Sequence, residues 1–183
     1  MTAGYPKIVT DTGPLISWAR ANQLDLLRTM LQELILPQAV VQELQKPNRP
    51  GATLLGESWI TQAERLPVGA DLNFPPVLGD GERQAIATAS LFKAMLLVDD
   101  ASARKEAERR GISCLTTLRL LAQAKSEGLI LLVAPLLQTF RDRGFWLSDS
   151  VAQRYLIGLS EKAKICFGVK VCDRHFKLTE PVW

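Results

Sequence analysis

The chain has 183 residues, 47% of them hydrophobic and 22% charged, with a net charge of +3. That is the composition of one ordinary globular domain with enough apolar residues for a sizeable core. The longest uncharged apolar run, Leu129 to Phe140, has 12 residues and contains Pro135, which is too short to span a bilayer.

In chain order, residues 7–11 read as a strand ending on Asp11, and 14–20 as a helix. Leu24, Leu27 and Leu31 recur at helical spacing. "ELILP" is a strand stopped by Pro37, and 38–46 is a helix with Val40, Val41 and Leu44 on one face. "KPNRPG", residues 46–51, is a loop, and "SWITQAE" a further strand. After the turn "PPVLGDG" come a helix over 81–93 and the strand "AMLLV", which runs into Asp99 and Asp100. A helix over 101–110, the strand "ISCL", a helix over 116–127 closed by Gly128, and helical segments to about residue 159 complete the pattern. Strand-length apolar runs alternating with helices predict an α/β domain with a mostly parallel sheet covered by helices.

Ligands of such sheets bind outside the carboxyl ends of the strands, and Asp11 and Asp99 both fall there. Glu43 lies three residues after Val40 and borders the buried stripe of its helix. Glu82 opens its helix one turn before Ala85 and Ile86. Each has an ordinary role open to it: Asp11 and Asp100 as helix caps, Glu82 as a charge at a helix amino terminus, Glu43 as a solvated side chain. Their recurrence at strand ends and helix starts points instead to convergence. Converging carboxylates repel one another unless a cation intervenes. An Asp/Glu set without His or Cys suits hard ions such as Mg²⁺ and Mn²⁺, which keep water and accept phosphate oxygens.

"IVTDTGPLI", "LILPQAVVQEL", "LGDGERQAIATA" and "LLVDDASARKEAERRGI" occur in the order seen in VapC-like PIN-domain proteins, and the chain resembles these from about residue 7 to 150. The closest resemblance is to the branch with a paired Asp-Asp and a following Ala-Arg. It implies a three-layer α/β/α fold and Mg²⁺- or Mn²⁺-dependent endoribonuclease activity on RNA. It also implies a toxin neutralised by a small antitoxin partner, and dimerisation is common among such proteins. By position, Asp11, Glu43, Glu82 and Asp99 match the four metal-binding and catalytic acids, with Asp100 the alternative to Asp99. Thr12 matches the hydroxyl residue beside the first aspartate. Arg104 falls where this branch carries a base that meets phosphate. Thr117 fits the branch pattern at a substrate-side position, whereas Arg119 stands where glycine is expected, able to touch substrate or to narrow the site. Gly13 replaces a second small hydroxyl residue. These departures keep a second reading open: a catalytically weak PIN-like binding module acting through protein or RNA contacts.

The PIN-like domain is expected over 1–159, with 160–183 an extension that adds an edge strand, pairs with a second copy or stays loosely held. Eight Lys/Arg against five Asp/Glu follow residue 140, a mildly basic end able to favour a polyanion. Three cysteines and no visible secretory signal point to a reducing, cytoplasmic setting. Cys166, Cys172 and His175 have an unusual spacing for zinc. A phosphorylation receiver domain, suggested by the paired aspartates, would need a buried strand ending on a third aspartate, and Asp142 lies in the charged "RDRGFW". Trp18, Trp59, Trp146 and Phe145 are assigned to core packing.

Overall fold

The computed structural model describes residues 7–67 and 73–161. Five strands, β1 (Ile8–Thr10), β2 (Leu34–Pro37), β3 (Ile60–Ala63), β4 (Met95–Leu97) and β5 (Cys114–Leu115), form one sheet in the order β3-β2-β1-β4-β5. Every pairing is parallel. Among the described residues eight α-helices flank the sheet: α1 (Thr12–Arg20), α2 (Leu24–Met30), α3 (Gln38–Leu44), α4 (Asp80–Phe92), α5 (Ala101–Arg109), α6 (Thr117–Ser126), α7 (Val133–Asp142) and α8 (Asp149–Gly158).

The central strands are apolar because both of their faces are covered. Successive side chains of a strand point to opposite faces, and the two cores divide accordingly. Ile8, Leu34, Leu36 and Leu97 pack with residues of α1, α2, α3, α6, α7 and α8 on one side. Val9, Ile35 and Leu96 pack with α4 and α5 on the other. The result is the helix-covered parallel sheet expected from the alternation, in the three-layer α/β/α arrangement that the family resemblance implied. Each fully buried Leu or Ile contributes roughly 1.5–3 kcal/mol relative to an exposed one, so the sheet is held chiefly by these two layers.

Local differences from the sequence reading have simple causes. Helix α1 starts at Thr12 rather than at residue 14, because Pro14 falls in the first turn, where no amide hydrogen is needed. Helix α6 starts one residue late because Thr116 is its cap, its hydroxyl accepting from Arg119 N at 3.2 Å. The expected core role of Trp146 is corrected. Phe145 and Leu147 turn inward in the link between α7 and α8, so Trp146 between them points outward and is 88% exposed. Trp18 and Trp59 are buried. Glu161 is buried, its carboxylate accepting from Val133 N and Ala134 N and pairing with Lys125 Nζ. Cys166, Cys172, His175 and the rest of the expected extension past residue 161 lie outside the described residues.

The chain lays down β1, β2 and β3 toward one edge, then returns to add β4 and β5 on the other side of β1. The carboxyl ends of β1 and β4 are therefore the topological switch point, where a crevice opens in such sheets. The Thr10 hydroxyl, which donates to Leu97 O at 3.2 Å, ties these two strand ends together.

Candidate active site

Asp11 follows β1 and Asp99 follows β4, so both stand at the switch point. A cleft of about 630 Å³ opens there. Its walls include the start of α1, the face of α3 and the start of α4. Six carboxylates line it, from Asp11, Glu43, Asp80, Glu82, Asp99 and Asp100, along with Thr12. Among the described residues Lys46 is the only basic one in that lining.

The carboxylates are held in different ways. Asp11 occupies the cap position of α1, yet its side chain makes no capping hydrogen bond. It is buried, and its Oδ1 has no hydrogen-bond partner. Burial, and then the charges of Asp99 and Glu82, push its carboxyl well above the ordinary range. Asp99 accepts from Thr117 N at 2.8 Å and from Thr117 Oγ1 at 2.6 Å. Burial also raises its carboxyl, while those two hydrogen bonds and the Arg104 guanidinium oppose the rise. Glu43 Oε2 accepts from Thr12 Oγ1 at 2.8 Å, and Oε1 pairs with Arg49 Nη2 at 2.7 Å. Glu82 Oε2 accepts from Gly79 N at 2.7 Å, so this residue also caps the start of α4. Asp80 is bridged by Arg65 Nη2 at 2.9 and 2.8 Å. Asp100 Oδ1 accepts from Ala103 N at 2.8 Å and caps α5.

Of the two neighbouring aspartates, then, the exposed Asp100 serves its own helix, while Asp99 is fixed by a residue 18 positions away. Thr117 is fully buried and its hydroxyl is engaged by Asp99, so it stands behind the carboxylate. Arg119 is exposed on α6, and its Nη1 donates to Cys114 O at 3.2 Å. Neither Arg119 nor Arg104 lines the cleft. Sequence reasoning passed over Lys46, Arg49 and Asp80. The one available signal was that Lys46 and Arg49 follow Glu43 by three and six residues, close enough for the end of a helix and its loop to face the same cleft. Gly13 is no steric requirement: a Cβ there would meet Asp11 Oδ2 at 3.6 Å, an ordinary contact.

Among the described residues, no three His, Cys, Asp or Glu side chains lie close enough together to hold an ion by themselves. Donors within the fold already engage Glu43, Glu82 and Asp99. The donor set still fits a hard divalent ion. Such an ion needs only one or two carboxylates, with water and substrate oxygens for the rest. The buried, unpartnered Asp11 Oδ1 is an acceptor lacking a positive partner.

A parallel α/β domain with an acidic cleft at its switch point defines a class of protein suited to phosphate-ester chemistry with divalent ions. A family model described as PIN domain matches residues 7–161, and the chain belongs to the PIN-domain family. PIN domains are generally nucleases that use divalent metal ions. No curated protein matches the chain. Among the described residues no helix is long and apolar enough to cross a membrane.

Proposed function

We propose that this chain is a metal-dependent endoribonuclease that hydrolyses RNA phosphodiesters, and that it is the VapC-like toxin of a toxin–antitoxin pair acting in the cytoplasm. The observation that carries the nuclease reading is Asp11, a buried carboxylate with an unpartnered oxygen and a raised proton affinity, in a cleft lined by five further carboxylates. Asp11, Glu43, Glu82 and Asp99 would hold one or two Mg²⁺ or Mn²⁺ ions, which neutralise the charge between carboxylates and phosphate and activate water for attack on the ester.

The chain's own residues supply the rest. Thr12 and Arg49 fix the carboxylate of Glu43, and Thr117 fixes that of Asp99. Lys46, on the cleft wall, takes a phosphate of the RNA backbone. Arg104 lends its field to Asp99 without entering the cleft. Small antitoxin and homodimer partners follow from the resemblance to VapC-like proteins.

Purified protein given a mixed structured RNA with Mg²⁺, Mn²⁺ or excess EDTA tests this reading. Cleavage that requires the metal supports it, and cleavage surviving EDTA contradicts it. The dispersal of the carboxylates favours the second reading, a binding module with weak or absent turnover. Metal-independent RNA retention without cleavage would select that alternative.

A further inference from the structure

Trp18 is fully buried on α1, six residues after Thr12, and its ring packs edge-on to Phe140 with centroids 5.1 Å apart and planes at 80°. Packing accounts for the ring but not for the indole N–H, which donates to Thr117 Oγ1 at 3.1 Å. An indole nitrogen is only a donor, and a hydroxyl has a single proton with two acceptor lone pairs. Thr117 must therefore accept from Trp18. Its own proton goes to the one other partner in reach, Asp99 Oδ2 at 2.6 Å. The directions of both hydrogen bonds follow from the chemistry of the groups. Asp99 Oδ1 is meanwhile held by Thr117 N at 2.8 Å.

We infer that Trp18 is a positioning residue for Asp99: its buried indole N–H fixes the rotor of the Thr117 hydroxyl, so that the hydroxyl proton is held on the carboxylate at the cleft. The inference goes beyond the nuclease reading and rests on it only for the role of Asp99 toward a cation. It gives α1 two tasks. The helix follows Asp11 at its start, and through Trp18 it sets the orientation of the aspartate across the cleft. Without the indole donor the Thr117 hydroxyl is free to rotate, and Asp99 loses its shortest hydrogen bond for part of the time.

The test uses Trp18→Phe, which keeps an aromatic ring against Phe140 and removes the donor together with part of the indole's bulk; the comparison in the Thr117→Val background separates the two effects. It also uses Thr117→Val, the double variant and Asp99→Asn in the full chain. Mg²⁺ affinity is measured by calorimetry, and the indole N–H resonances by ¹H–¹⁵N spectroscopy. The chain has 4 Trp, and the resonance missing from Trp18→Phe identifies Trp18. Thr117→Val is expected to weaken Mg²⁺ binding on the order of tenfold, and Trp18→Phe severalfold. Trp18→Phe should add no further loss in the Thr117→Val background, because residues acting in series are not additive. Asp99→Asn should move the Trp18 resonance. Wild-type affinity in Trp18→Phe, or an equal loss in both backgrounds, overturns the inference. If the wild type takes up neither Mg²⁺ nor, in the same titration, Mn²⁺, the nuclease reading falls. The relay is then decided by the resonance, which moves on Asp99→Asn if the chain of hydrogen bonds operates and stays still if Trp18 only packs.

Discussion

The Thr12 hydroxyl donates to Glu43 Oε2 at 2.8 Å, joining the first turn of α1 to the far end of α3. With Arg49 on the other oxygen at 2.7 Å, Glu43 is aimed by two donors, and a Cβ added at Gly81, at the start of α4, would lie 3.9 Å from both Glu43 Oε2 and Thr12 Oγ1. Hydrogen bonds to a charged group are worth about 1.5–3 kcal/mol. Thr12→Val is therefore expected to lower kcat/KM for RNA by roughly tenfold or more, with Thr12→Ser restoring most of the loss. Equal activity in Thr12→Val would show that Glu43 needs no such aim.

Asp11 predicts the pH dependence of stability without metal. Burial, then the charges of Asp99 and Glu82, raise its carboxyl in the folded chain. The folded state thus binds this proton more tightly than the unfolded state does. Stability falls as pH climbs from the ordinary carboxylate range through the raised folded value. Asp11→Asn removes the charge. In EDTA it is expected to unfold at higher urea than wild type at about pH 8, by about 1 kcal/mol, with a shallower decline from about pH 4 upward. Parallel curves for the two proteins would contradict the raised proton affinity.

The neighbouring aspartates are separated by opposite outcomes. Asp100→Ala deletes the cap of α5 and is expected to cost about 1 kcal/mol of stability while RNA cleavage persists. Asp99→Asn should abolish cleavage whatever it does to the melting temperature, since the amide group that replaces one oxygen cannot accept from Thr117. Paired thermal melts and cleavage assays read both, and a reversal would exchange the two roles.

Among the described residues Lys46 is the only cation lining the cleft, and a backbone phosphate contact releases counterions. Lys46→Gln is expected to weaken binding of all single-stranded RNAs alike and to reduce the slope of log affinity against log salt by about 0.7. Filter binding across a salt series measures this, and an unchanged slope places Lys46 outside the contact.

Much of the fold was legible because a strand covered on both faces must be apolar along its whole length. "LILP" and "AMLL" therefore stood out, and the acid after the second one marked a strand end. The distinction between Asp99 and Asp100 was not legible. It depends on which carboxylate meets the start of α6, and a three-dimensional turn decides that. The role of Thr117 was hidden for the same reason, since its partner is 18 residues away. Lys46 and Arg49 looked like loop charges until α3 was laid along the cleft. Trp146 was misjudged because alternation over Phe145, Trp146 and Leu147 outweighs hydrophobicity where a link passes over the surface.

The central claim is that RNA cleavage depends on a divalent ion held at Asp11. Its most direct measurement is cleavage of one structured RNA by wild type and Asp11→Asn side by side, each with Mg²⁺, Mn²⁺ or excess EDTA. The expected result is cleavage by wild type with metal alone, and none by Asp11→Asn under any condition. Equal cleavage by both proteins would contradict the account.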